Sequence, residues 1–85
     1  MRIYSVGQSR LVVEGSLYYY DYLALWQEMA RLGWQKGEGA VWWKDVSSLE
    51  ELEKELERVE KVLLELGFDY RVEVIGHTSA GDEWV

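Results

Sequence analysis

The chain contains no cysteine and no proline, and only one histidine and one phenylalanine. Without thiols there are no disulfide staples, thiolate metal sites or cysteine nucleophiles, and nothing marks the redox state of the compartment. Without prolines there are no stiff Pro-rich linkers, and no domain boundary is punctuated within the 85 residues. A lone imidazole, His77, offers too few nitrogen ligands for an ordinary zinc site. No apolar run approaches the ~20 residues that cross a bilayer. The opening segment MRIYSVGQSR has no apolar stretch after Arg2 and is expected to be mature sequence rather than a leader.

What is present describes a folded chain. Hydrophobic residues make up 48% and charged residues 29%, a balance that predicts one domain over residues 1–85 with a single small core. Sixteen acids against nine Lys and Arg give a net charge of −7. That field repels phosphate, so direct nucleic-acid binding and anionic membrane surfaces are disfavoured, and a protein partner is expected instead. A cytoplasmic location is the default expectation.

The clearest local signal is Ser47–Phe68. Ser48 and Glu51 have the S-x-x-E spacing of a capping box. Leu49, Leu52, Leu56, Val59, Leu63 and Leu66 then recur at steps of three and four, which predicts one apolar helix face. Gly67 is placed as a left-handed cap, with Phe68 folding back towards Leu63. Glu50–Lys54 and Glu57–Lys61 are i, i+4 pairs on the solvated side. A second helix is expected over Tyr18–Leu32, with Ser16 as N-cap, Asp21 in its first turn and Gly33 at its end. Its wide apolar stripe predicts burial on more than one side.

Extended segments fall between these helices. Arg2–Val6 and Arg10–Glu14 read as a hairpin or as one strand bulged at Gly7. Trp34–Lys36 and Ala40–Val46 flank a Gly37-Glu38-Gly39 turn. Tyr70–Ile75 alternates, with Tyr70, Val72 and Val74 on one side and Arg71 and Glu73 on the other. The plan of Arg31-Leu32-Gly33-Trp34 is repeated in Glu65-Leu66-Gly67-Phe68. Two such halves in tandem predict α+β order βαββαβ, a ferredoxin-like two-layer sandwich with an antiparallel sheet and two helices on one face. The alternative is ββαβαβ, with Arg2–Val6 as an extra N-terminal edge strand.

Five Trp and six Tyr give the chain its aromatic weight. Trp42 and Trp43 are adjacent in a strand, so they must point to opposite sides of the sheet. Whichever points away from the helices is expected to centre a protein interface, with Lys44, Arg71 and Glu73 as its rim. VWWKDV lacks the basic aromatic signature of RNA-binding sheets, and self-association into a homodimer suits the acidic balance better. The competing arrangement has that side covered by the chain's own N-terminal strand or by Trp84.

Two other functional classes are compatible with the residues. Tyr18, Tyr22 and His77 are candidates for lining a small-ligand or enzymatic pocket between the first helix and the sheet. Clustered carboxylates would instead suit an acidic inhibitor that imitates nucleic acid. His77 with Thr78, Ser79, Asp82 and Glu83 matches no triad spacing, so residues 77–85 are expected to be a polar tail. The sequence therefore predicts a non-enzymatic binding domain, with no catalytic residue, metal ligand or cofactor assigned.

Overall fold

A computed structural model describes residues 1–7, 9–15 and 22–73 of the chain. Strands β1 (Arg2–Val6) and β2 (Arg10–Glu14) pair antiparallel, with Arg2 opposite Glu14 and Val6 opposite Arg10. The pair is thus a hairpin, not a bulged single strand, and Gly7 supplies the positive φ of +63° at its turn. Helix α1 (Leu23–Arg31), β3 (Gln35–Lys36), β4 (Val41–Asp45), α2 (Leu49–Leu66) and β5 (Arg71–Val72) follow. The five strands lie in the order β3-β4-β2-β1-β5.

This is a small α+β domain with a mixed sheet, and two expectations are corrected. The sheet is not wholly antiparallel, because β5 runs parallel to β1. Nor is Arg2–Val6 an edge strand: it lies between β2 and β5. The hairpin is the physical reason. Its short turn forces β1 onto the free side of β2, so a returning strand finds its open ladder on β1. Helix α2 has 18 residues and is about 27 Å long, enough to carry the chain past the two intervening strands, about 14 Å from β4 to β5.

Both helices pack on one face of the sheet. Ile3, Leu11, Val13 and Trp42 point to that side and join Leu25 and Met29 of α1 with Leu52, Val59, Val62 and Leu63 of α2 in one buried cluster. Helix α1 is narrower than its sequence stripe suggests: only Leu25 and Met29 are buried, while Leu23 and Trp26 are exposed. The stripe mixed a core row with a solvent row, which spacing alone does not separate. Ser16 and Asp21, expected at its start, lie outside the described residues.

The helix ends repeat each other closely. Trp34 N–H donates to Met29 O at 2.9 Å, and Phe68 N–H donates to Leu63 O at 2.9 Å. Gly33 (φ +89°) and Gly67 (φ +82°) each take the left-handed turn that makes this six-to-one bond possible. At the start of α2, Ser48 Oγ accepts from Glu51 N–H at 3.1 Å. The other half of the expected box differs: the Glu51 carboxylate accepts from the Ser47 hydroxyl at 2.6 Å. Gly15 is required by close packing, since a Cβ there would sit 2.9 Å from the Tyr22 ring.

The two adjacent tryptophans should separate sharply on substitution. Trp42→Ala is expected to cost about 3–5 kcal/mol through cavity formation. Trp43→Ala should cost about 1 kcal/mol, the scale of one cation–π contact. Urea denaturation of both variants checks the difference; equal losses would contradict the assigned sides.

Candidate functional site

The sheet face away from the helices has a pattern dictated by strand parity. With Trp42 inside at 1% exposure, Trp43 must point outward. The pairing registers align Tyr4, Val12, Trp43 and Gln35 in a row across four strands. Val12 is only 6% exposed between its neighbours. On one side of this row lie Arg71, Arg2, Glu14 and Val41; on the other lie Val6, Arg10 and Asp45.

Guanidinium groups cover the two rings of the row. Arg10 Cζ sits 4.0 Å from the Trp43 ring centroid, and Arg2 Cζ sits 5.0 Å from that of Tyr4. Each guanidinium is oriented by carboxylates. Arg10 Nε donates to Asp45 Oδ1 at 2.7 Å, while Arg2 donates to Glu14 Oε1 at 2.6 Å and to Glu73 Oε1 at 2.9 Å. Arg71 adds an ion pair to Glu73 at 3.2 Å. A stacked guanidinium keeps its N–H edge for hydrogen bonding while its plane covers the ring, so this surface is both apolar and charged.

These contacts shift the carboxyl groups. The Arg10 hydrogen bond holds Asp45 below the usual carboxylate range. The Arg2 hydrogen bond does the same for Glu73, with the charges of Arg2 and Arg71 adding to it. Away from the face, the Tyr70 hydroxyl donates to Glu60 Oε2 at 2.9 Å, and that bond raises the phenol above its usual value.

Of the residues expected at this interface, Trp43, Arg71 and Glu73 share the open face. Trp42 does not: it lies in the core with Tyr22 edge-on at 6.0 Å. Lys44 does not either, because it has the same parity as Trp42. Its Nζ donates to Leu32 O at 2.9 Å and lies 3.2 Å from Glu55 Oε1. Glu55 is buried at 4% exposure, with Arg58 donating to its other oxygen at 2.8 Å. Lys44 therefore ties β4 to both helices. Tyr4, Val12, Arg2, Arg10, Glu14 and Asp45 complete the face and were not assigned from sequence. The unbroken run Leu11-Val12-Val13 hides the parity of β2, and only the register with Trp43 reveals it.

Of the alternative pocket residues only Tyr22 lies in the described part of the chain. Tyr22 is a core residue, 9% exposed, against Trp42 and Phe68. Tyr18 and His77 lie outside the described residues, as do residues 77–85. An open groove of about 400 Å³ runs past Met1, Arg2, Glu14, Gly15, Asp69, Tyr70 and Arg71. Its Arg2 and Glu14 are paired with each other, so they do not converge on a common point. Among the described residues no three His, Cys, Asp or Glu side chains are grouped to hold a metal ion, and no helix is long and apolar enough to cross a membrane.

Two measurements check this geometry. Lowered carboxyl values favour the folded state above the ordinary carboxylate range, and that contribution is lost as pH falls through and below it. Arg10→Gln should therefore be less stable than wild type at pH 7, with the gap closing towards pH 3 in urea melts. Lys44→Met should cost about 1–3 kcal/mol by leaving a buried carboxylate oxygen without its cation. Lys44→Met/Glu55→Leu should recover part of that loss in the same melts, because an apolar pair removes the buried charge altogether.

Comparison of the chain with protein-family models, with curated proteins and with solved structures finds no match.

Proposed function

We propose that the chain is a non-enzymatic protein-binding domain that works through the open sheet face. The observation that carries this reading is the outward row Tyr4–Val12–Trp43 with Arg2 and Arg10 stacked on its rings. Trp, Tyr and Arg are the residue types that dominate binding energy at protein interfaces, because they offer large contact area together with directed hydrogen bonds. Here they form one contiguous patch on rigid strands, with Arg71 and Glu73 at the rim. The fold reading that accompanies it is a ferredoxin-like sandwich enlarged by one strand. In support, β2-α1-β3 brackets β4, while β4-α2-β5 brackets both β2 and β1.

Pairing of the carboxylates on the sheet weighs against nucleic-acid mimicry there. On α2, Glu50 is paired with Lys54 and Glu55 with Arg58; on the sheet, Glu14, Asp45 and Glu73 are each paired with arginine. That alternation of sign on the sheet does not reproduce the spacing of a phosphate backbone, while α2 carries seven acids against Lys54, Arg58 and Lys61.

Affinity capture with the wild-type chain and with Tyr4→Ala, Trp43→Ala and Lys54→Ala baits tests the reading. Partners retained by wild type and by Lys54→Ala should be lost or reduced at least tenfold with the two aromatic variants, each confirmed folded by circular dichroism. Undiminished capture by both aromatic variants would remove the open face as the binding surface.

A further inference from the structure

We propose that the partner of the open sheet face is a second copy of this chain, packed face to face about a two-fold axis lying along the Tyr4–Val12–Trp43 row. The inference rests on the binding-face reading above and names its occupant.

Charge favours a like partner. Among the described residues, the face carries Arg2, Arg10 and Arg71 against Glu14, Asp45 and Glu73, so its formal charge is zero. The described residues together carry −4 (nine Lys and Arg against thirteen acids), and that excess lies off the face. Two copies approaching by other surfaces bring acid against acid, which costs Coulomb energy at every encounter. The open face is the side on which like molecules meet without that repulsion.

Strand register favours it too. Strand β2 is the third of five, so the sheet is centred on it and overlaps best with a copy of itself there. An axis along the middle row sets the Glu14 side of one copy over the Arg10 side of the other. Glu14 then meets the partner's Arg10, and symmetry makes the same contact twice. Tyr4, Val12 and Trp43 meet their own counterparts. An axis along the strands would instead set Glu14 on Glu14 at the centre, so the charge pattern selects the first arrangement. Sheet twist rotates the two layers by about 30°, which displaces residues near the centre of β2 least.

Size limits the affinity. Three strands about 17 Å long and two about 7 Å long, spaced about 4.8 Å apart, give a flat footprint of about 300 Å². That is less than half the ~800 Å² that a stable complex buries on each partner. The dimer is therefore weak and reversible, with dissociation in the range of about 10 µM to 1 mM.

Sedimentation equilibrium from about 5 µM to 2 mM tests it. The wild-type mass should rise from 10.0 kDa towards twice that value with concentration. Arg10→Glu and Glu14→Arg should each weaken association at least tenfold, and the double variant Arg10→Glu/Glu14→Arg should restore it to within about threefold of wild type. Should a charge reversal impair folding by circular dichroism, Arg10→Gln and Glu14→Gln carry the same test and should each weaken association. Wild type that stays monomeric throughout overturns the inference and leaves the face to residues 74–85 or to a different protein. Association that survives either substitution, or that is not rescued by the double reversal, overturns it too. If the chain is monomeric yet the Trp43→Ala bait loses partners, self-association falls and the binding-face reading stands. If neither effect is seen, both fall.

Discussion

Trp42 is the residue on which the rest of the structure depends. Its indole is among the largest fully buried side chains, held against the edge of Tyr22 on the helix side of β4. A strand has a side-chain period of two, so burying one residue assigns a side to all the others. With Trp42 inside, Lys44 is inside and Val41, Trp43 and Asp45 are outside. The ladder passes that assignment to β2, where Leu11 and Val13 turn inward, and then to β1, where Ile3 does. A slip of one residue would expose the core row and bury Arg2, Arg10 and Glu14, so the register is strongly specified.

The layer above the sheet is tied to that assignment at two kinds of joint. One is the pair of glycine stops, where Gly33 and Gly67 reverse the helices and bring Trp34 and Phe68 back against the core. The other is polar. Lys44 reaches from β4 to the carbonyl of Leu32, the C-cap of α1, and to Glu55 on α2, so a single ammonium links the end of α1 to α2. Buried ion pairs add little net stability because desolvation offsets the attraction. Here the pair fixes position, since a shifted α2 would keep Arg58 on one Glu55 oxygen but leave the buried Oε1 without Lys44.

Among the described residues no helix lies over the open side, and its apolar row is shielded by guanidinium planes. Each plane is held by carboxylates on neighbouring strands, so charge neutrality and ring coverage come from the same contacts. Exposed ion pairs of this kind contribute little stability one by one. In the proposed interface they would present donors and acceptors at fixed positions beside Tyr4 and Trp43.

Much of the fold was legible in the sequence, because helix ends and hairpins are local. Ser48, Gly33, Gly67 and the Gly37–Gly39 turn act on residues within a few positions of themselves, so their spacing is enough to place α1, α2 and the β3–β4 pair. The candidate site was legible only in part. Sequence required that one of Trp42 and Trp43 face outward and put Arg71 opposite in parity to Val72. It did not show that Lys44 serves the core, nor that Tyr4, Val12, Arg2 and Arg10 lie beside Trp43. Those facts depend on which strands are neighbours, and pairing between residues as distant as Arg10 and Asp45 is set by burial of the whole core. By itself, then, the sequence determined the elements, their caps and the alternation along each strand. Tertiary structure alone decided the strand order, the insertion of β1 beside β5 and the composition of the open face, because a strand's hydrogen-bonding edges do not encode their partner.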